Sequence, residues 1–443
     1  MSRLGVRTVG AFCALAGFLA AGCSSDPSAT VTTEATATVP QSTAVAKRDA
    51  GWKADLALIV PGMAAIHPDL FHGVPETTLQ AAVDELSGRV PLAADDELMV
   101  GVLRIVALVG AAGCEGHTGV FVWGAGTYPV DSMPLRLWLF GDDLVIVDAL
   151  APYESLVGAR VDAIDGHPIA DVLASVSPLV ARDNDQTVRL ATPRLVLIPQ
   201  VLRGLGLADG GPITLSLGSG ATGATGNKRT VDVEPIPIAA YNAWAGPYGL
   251  HLPVDPDVQY LARINDALWW VLRPDGTLVV QYNRVDRLPA EQLAKLRAAL
   301  EDPVVRRVVL DVRHNFGGEL SELDRMMKLL TEPPRAWPDG FFVVTGRNTF
   351  SAGSLMVARL QAQTDAVFVG EPMSGCPTTW GNPEELAQPH SGLVINVAHE
   401  LSVGVDAADT RLNIEPDIPA ILTLDTWSAG IDPALEAIVA NRR

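Results

Sequence analysis

Residues 341–372, FFVVTGRNTFSAGSLMVARLQAQTDAVFVGEP, constrain the fold more than any other stretch of the chain. The aromatic and β-branched run Phe341–Thr345 reads as a buried strand, and a polar turn at Gly346–Thr349 follows it. Ser351 then stands before an apolar-periodic segment carrying Leu355, Met356 and Leu360, and Ala366–Gly370 reads as a second strand. The order is strand, turn, serine, helix, strand. A serine at the mouth of a helix lies beside backbone N–H groups that lack intrahelical partners, and these, with the helix dipole, stabilise a negative oxygen forming nearby. The same position suits an ordinary N-cap serine. This stretch alone therefore leaves Ser351 between capping and chemistry.

A second stretch bears on that choice. Val308–Gly318 reads VVLDVRHNFGG, a strand that runs into Asn315 and the paired glycines Gly317 and Gly318. Paired glycines after a strand let backbone N–H groups approach a ligand closely. In the order VVLDVRHNFGG, TFSAGS, VFVGEPMSG the chain resembles the catalytic core of the C-terminal-processing (tail-specific) serine peptidase family, which also includes the tricorn-type core proteases. The resemblance implies an α/β fold with a crotonase-like core, akin to the caseinolytic peptidases, over residues 255–443. It implies Ser351 as nucleophile, with oxyanion donors at the N–H of Ala352 and of Gly317 or Gly318.

The base is where this chain departs from most of that family. Bacterial members usually carry a lysine after G-E-P-x-x-G, and here Cys376 occupies the place, so a Ser/Lys dyad is excluded. A serine hydroxyl is a weak nucleophile without an adjacent base. The tricorn-like branch uses histidine in a motif resembling D-G-H-T, and Glu115-Gly116-His117-Thr118 matches it, which implies His117 as the base. Without the resemblance, a lone histidine in a Gly-flanked turn reads as structural. Triads are defined by geometry and not by chain order, so an upstream histidine is admissible. The branch places its acid shortly before a G-x-x-P-D motif. Here 413–417 reads NIEPD, which implies Asp409, with Asp406 and Glu415 as alternatives.

The rest of the chain sets the context. Net charge is −19 from 51 acidic and 32 basic residues, which argues against a nucleic-acid partner. Arg3 and Arg7 precede the apolar run Val9–Ala21, too short to span a bilayer. It ends in LAAGCSS, which resembles a bacterial lipoprotein signal over residues 1–23, with Cys23 as the lipid-bearing residue and Ala20 where leucine is more usual. The expectation is export and attachment to the cell membrane through that lipid, facing outward. Residues 24–48, rich in Ser, Thr, Ala and Pro, read as a flexible tether.

Residues 52–125 read as helical and carry the His117 loop: one helix opens at Pro75-Glu76, a second at Asp95-Asp96, and a strand is expected at Val120–Trp123. In 130–240, Leu156–Val176 gives a strand, an Asp165-Gly166 turn and a helix, and so resembles part of a PDZ domain; Gly218–Asn227 reads as a flexible hairpin loop. Asp183–Ala208 does not fit a minimal module of that kind. Beyond it, Leu268–Leu272 and Leu278–Tyr282 form a hairpin about Asp275-Gly276, and a helix opens at Pro289.

With Cys13 in the signal and Cys23 lipidated, Cys114 and Cys376 remain, and an exported protein with two such cysteines suggests one bridge. Cys376 also reads as an inert thiol or as a nucleophile. If His117 and Ser351 meet as the resemblance implies, the two cysteines come close as well. His67, His72 and His314 make no metal-ligand spacing with Cys, Asp or Glu, so neither metal nor cofactor is expected. The function expected is hydrolysis of exported or cell-envelope polypeptides by a Ser-His-acid endopeptidase. The missing lysine motivates a second reading, an inactive peptide-binding lipoprotein. A third, an esterase using His390 or His399, conflicts with TFSAG, which lacks the first glycine of G-x-S-x-G.

Overall fold

The computed structural model describes residues 41–124, 128–218, 229–246 and 251–441. The signal, Cys23, residues 24–40 of the tether and all of the 218–227 loop except Gly218 lie outside them. Among the described residues no helix is long and apolar enough to cross a membrane.

A six-stranded sheet carries the C-terminal region, and its strand order follows the chain: Leu268–Leu272, Thr277–Tyr282, Arg307–Asp311, Phe341–Thr345, Val367–Gly370 and Ile418–Pro419. The first pair is the expected antiparallel hairpin, turning at Gly276 (φ 79°); the remaining neighbours are parallel. Parallel neighbours need crossover connections; the helices Ala290–Leu300, Leu320–Thr331 and Ala352–Gln363 supply the first three, and residues 371–417 make the fourth. Both faces are covered, which explains the unbroken apolar runs. Val308, Leu310 and Val343 face Leu296, Leu323, Met326 and Leu355, whereas Val309, Phe342, Val344 and Val369 face Ala434 and Ile438 of the last helix, Pro433–Ala440. Asp432 caps that helix and also takes both terminal nitrogens of Arg313 (2.9 Å each), while Arg313 Nε donates to Asp311 (3.0 Å). The D-x-R part of the strand-end motif thus fastens the sheet to its C-terminal cover.

The middle region is an antiparallel sheet, Leu135–Phe140, Asp143–Ala149, Arg160–Ile164, Ile213–Gly218 and Arg229–Val233 in that order. The turn at Asp165 and Gly166 (φ 45° and 80°) leads into the helix Ile169–Val176, as the sequence indicates. Two further helices, Asp185–Leu195 and Pro199–Gly204, fill the segment that a minimal module does not accommodate.

Upstream, Glu76–Arg89 buries Leu79, Val83 and Leu86, and Asp95–Ala107 buries Leu98, Val102 and Ile105, on the faces their spacing predicts. Two expectations need correction. The tether was read to residue 48, yet a helix runs over Gln41–Ile66. Arg48 Nε donates to Asp95 (2.8 Å) and its Nη1 to the Val90 carbonyl (2.8 Å), tertiary contacts that override a low-complexity composition. The strand expected at Val120–Trp123 shrinks to Gly119–Val120, paired with Asn396 and Ile395 of the long strand Val394–Val403. That strand and Thr378–Ala387 form a hairpin projecting from the C-terminal region. Leu393, Ile395 and Val397 share one apolar core with the N-terminal helices and the middle sheet.

Candidate active site

Ser351 is the residue before the helix Ala352–Gln363, but its hydroxyl caps nothing there. Its backbone takes φ 53°, ψ −130°, a conformation costly for a side-chain-bearing residue. The capping reading is therefore set aside. His117 Nε2 lies 3.1 Å from Ser351 Oγ, within hydrogen-bond reach across 234 residues of sequence. The His117 ring stacks on Phe350 (centroids 4.7 Å apart, planes at 27°).

Local structure on the Ser351 side accounts for the glycines. At Gly317 φ is 100°, and a Cβ there would stand 2.6 Å from Ser351 Cβ and 3.0 Å from Ala352 N, so only glycine lets this backbone lie against the serine. The Gly317 N–H already donates to Asn315 Oδ1 (3.0 Å), whose amide is anchored on the Tyr282 carbonyl (2.8 Å). Of the two expected donors at the paired glycines, Gly318 is thus the better placed to serve an oxyanion with Ala352.

On the other side, the loop carrying His117 is held from several directions. Cys114 (φ 58°) is joined to Cys376 by a disulfide with Cα atoms 5.5 Å apart, so the bridge is present and Cys376 has no free thiol. The Cys114 carbonyl accepts from Trp380 N (3.0 Å), and Thr118 Oγ1 accepts from Ala398 N (3.0 Å). These contacts bring together the end of the helical region, the loop at 376 and the hairpin.

The expected acid is not brought to this pair. Asp409 receives Arg411 Nη2 (2.7 Å) and the Arg411 amide (3.1 Å), and these hydrogen bonds hold its carboxyl below the ordinary range. Glu415 is exposed, and Asp406 accepts from Ala408 N (2.9 Å). The acid beside His117 is one the sequence did not point to, Asp183, which is fully buried. Its Oδ1 accepts from Gly116 N (2.6 Å) and Thr379 Oγ1 (3.0 Å), and its Oδ2 from Cys376 N (2.9 Å). Burial pushes the Asp183 carboxyl up, while His117 and these three donors pull it back. Asp183 does not touch the ring, whose Nδ1 is buried without a partner among the described residues. No motif marks Asp183. The only signal is the helix start next to it, where Asn184 caps Asp185–Leu195 and bonds the carbonyls of Met373 (3.2 Å) and Leu412 (2.7 Å).

The other histidines lie elsewhere. His390 packs on Trp52, and His399 is 3.9 Å from Glu384. His314 is buried, donating from Nε2 to the Tyr260 carbonyl (3.0 Å). Ser351 and His117 open on a cavity of about 790 Å³, lined on its apolar side by Phe121, Trp123, Leu179 and Leu190. Asp286, Glu319, Glu385 and Glu400 line it as well.

No protein-family model matches the chain, and no curated protein does. Among solved structures it is similar to mature CPAF complexed with lactacystin, at 13% identity over 90% of this chain and 98% of that one, with TM-score 0.61. A second structure of mature CPAF matches at 12% identity over 89% and 96%, with TM-score 0.60. The photosystem II D1 C-terminal processing protease is more distant, at 13% identity over 83% of this chain and 92% of that one, with TM-score 0.39. At these identities the likeness to CPAF is one of fold, extending over nearly the whole length of both chains.

Proposed function

We propose that this protein is a serine endopeptidase of the tail-processing type, in which Ser351 attacks a peptide carbonyl and His117 takes its proton. The single observation that carries the reading is the 3.1 Å approach of His117 Nε2 to Ser351 Oγ, made across 234 residues of sequence. The proton passes from Oγ to Nε2 as the Oγ–carbon bond forms, and the same Nε2–H then protonates the leaving amine. The N–H groups of Ala352 and Gly318, at a helix mouth and a glycine turn, support an oxyanion hole. Asp183 supports the imidazolium electrostatically from behind the loop, a role that Asp409, already paired with Arg411, does not fill.

Several finer readings belong to the same proposal. The order of the parallel strands is consistent with a crotonase-type core, and the turn and helix after Arg160–Ile164 are consistent with a PDZ-like origin for residues 130–240. LAAGCSS supports export and lipid anchoring at Cys23, and the disulfide is in keeping with an oxidising compartment.

A fluorophosphonate probe is expected to label wild-type protein at Ser351. Ser351→Ala and His117→Ala are each expected to lower peptide turnover by roughly four orders of magnitude or more while leaving the circular dichroism unchanged. Well-folded wild-type protein that neither labels nor turns over any peptide, yet binds peptide equally well as Ser351→Ala, would instead establish the inactive binding protein.

A further inference from the structure

Glu115, two residues before His117, is fully buried, and its Oε1 has no partner among the described residues. Two imidazoles reach the same carboxylate from far upstream. His67 Nε2 is 3.2 Å from Glu115 Oε2, and His72 Nε2 is 3.8 Å from that oxygen. Ligand atoms of the three residues all lie within 4.8 Å of one another.

The tautomers decide what this cluster lacks. His72 Nδ1 donates to the Asp69 carbonyl (2.8 Å), so in the neutral ring the lone pair of Nε2 faces Glu115. A lone pair and a carboxylate oxygen facing each other are two acceptors with nothing between them. A buried carboxylate with an unpaired oxygen needs a positive partner, and no lysine or arginine is paired with Glu115 among the described residues. Both acceptors fit a cation placed between them.

We propose that His67, His72 and Glu115 form a binding site for a zinc-like divalent cation. Zinc bonds nitrogen and carboxylate oxygen at about 2.0–2.2 Å, so ligand atoms in a tetrahedral site stand about 3.4 Å apart. The 3.2 and 3.8 Å separations of the two pairs that include Glu115 bracket that spacing, and rotation of the partly exposed His72 ring brings its nitrogen toward His67, which lies within 4.8 Å of it. Two histidines and one glutamate are a known zinc donor set that keeps a fourth position for water, and the exposed side of His72 is the way in. The third requirement is the His67 tautomer. Its Nδ1 now accepts from Asp69 N (3.0 Å), and a bound cation at Nε2 moves the ring proton to Nδ1 and releases that amide, on an exposed residue, to water. Trp380 covers both rings, with centroids 4.5 Å from His67 and 5.6 Å from His72.

His67 follows the helix Gln41–Ile66, His72 precedes the helix Glu76–Arg89, and Glu115 lies on the loop of His117. The ion therefore ties the N-terminal helices to that loop, next to the point where the disulfide ties it to the C-terminal region. It does not reach the cavity, and the site stands whether or not the protein is a peptidase. Sequence spacing conceals it, because the third ligand comes from a different segment.

The test is titration of chelator-stripped full-length protein with zinc and, separately, with cobalt. Calorimetry and elemental analysis are expected to give one zinc per chain, and cobalt the visible absorption of a four-coordinate site. His72→Ala, a change at a partly exposed residue that should leave the fold intact, is expected to weaken zinc at least about tenfold. His390→Ala should leave zinc binding as it is. Failure of wild-type protein to take up stoichiometric zinc at micromolar concentration would overturn the site. So would affinity unchanged in both His72→Ala and Glu115→Gln.

Discussion

Ser351 holds a backbone conformation that a side-chain-bearing residue rarely adopts, and the cost, on the order of 1–3 kcal/mol, is borne by a residue whose hydroxyl meets an imidazole. Its neighbour Gly317 permits this by having no Cβ to collide with it. In the proposed mechanism Asp183 acts on the same pair through the loop, where it holds Gly116 N. Replacing it with asparagine keeps the shape but removes the negative charge beside His117 and sets an NH2 against the N–H of Gly116 or Cys376, so the imidazolium loses a stabilising partner and the loop one hydrogen bond. Asp183→Asn is expected to lower kcat/KM by roughly ten- to a hundredfold and to move the acidic limb of its pH profile to lower pH. A loss of activity with the pH profile unmoved would assign Asp183 to loop structure alone. The meeting of Ser351 with His117 was legible in the sequence because the resemblance implied it from two short motifs. Asp183 was not, because its role comes from burial and from three donors on remote segments. Asp409 misled because the motif after it fixes an approximate position only; the arginine two residues on takes its carboxylate.

Elements, more than residues, bring the pair together. The bridge from Cys114 to Cys376 closes a loop of 262 residues and joins the loop of His117 to the segment beside Ser351. Its removal by Cys376→Ser, or by reduction, is expected to lower unfolding free energy by about 2–5 kcal/mol in denaturant titrations. Activity should fall at temperatures where the fold is still intact, because the loop loses a tether before the core melts. Equal midpoints with and without reductant would contradict that. The strand end that carries D-x-R supplies a second element-scale effect. His314 is buried next to Arg313, and burial together with that cation holds its pKa well below the ordinary histidine value. The unfolded chain takes up a proton there as pH falls below about 6.5 while the folded chain does not, so stability present at neutral pH is lost on acidification. The denaturation midpoint is expected to drop between pH 7 and 5, and His314→Asn to reduce the slope. An unchanged slope in a well-folded variant would show that other groups carry it. Strand and helix positions in this region were readable from periodicity. The start of the first helix was not, because its Ser/Thr/Ala composition says nothing of the contacts Arg48 makes with Val90 and Asp95.

At the scale of the molecule, three regions named separately in the sequence combine around one cleft. The segment 183–208 looked like surplus to the middle region because its partners are not local. It donates Asp183 to the His117 loop, and Asn184 and Thr187 bond the carbonyls of Met373, Leu412 and Ser374. The cleft these contacts enclose is acidic: Asp286, Glu319, Glu385 and Glu400 line it, and no lysine or arginine does so among the described residues. Arg284 offsets Asp286 (2.6 Å), whereas Glu400 has only the neutral amide of Asn382 (3.3 Å). With a net charge of −19 behind it, the cleft is expected, on the proposed peptidase reading, to concentrate cationic peptides and to repel anionic ones. The kcat/KM for a lysine-bearing peptide is therefore expected to fall as ionic strength rises through about 0.1 M, where the screening length is about 10 Å. That for a matched glutamate-bearing peptide should rise, and a neutral one should stay level. Glu385→Gln with Glu400→Gln is expected to flatten both trends without altering turnover at high salt. Parallel responses from the cationic and anionic peptides would mean that the charge of this cleft plays no part in choosing what enters it.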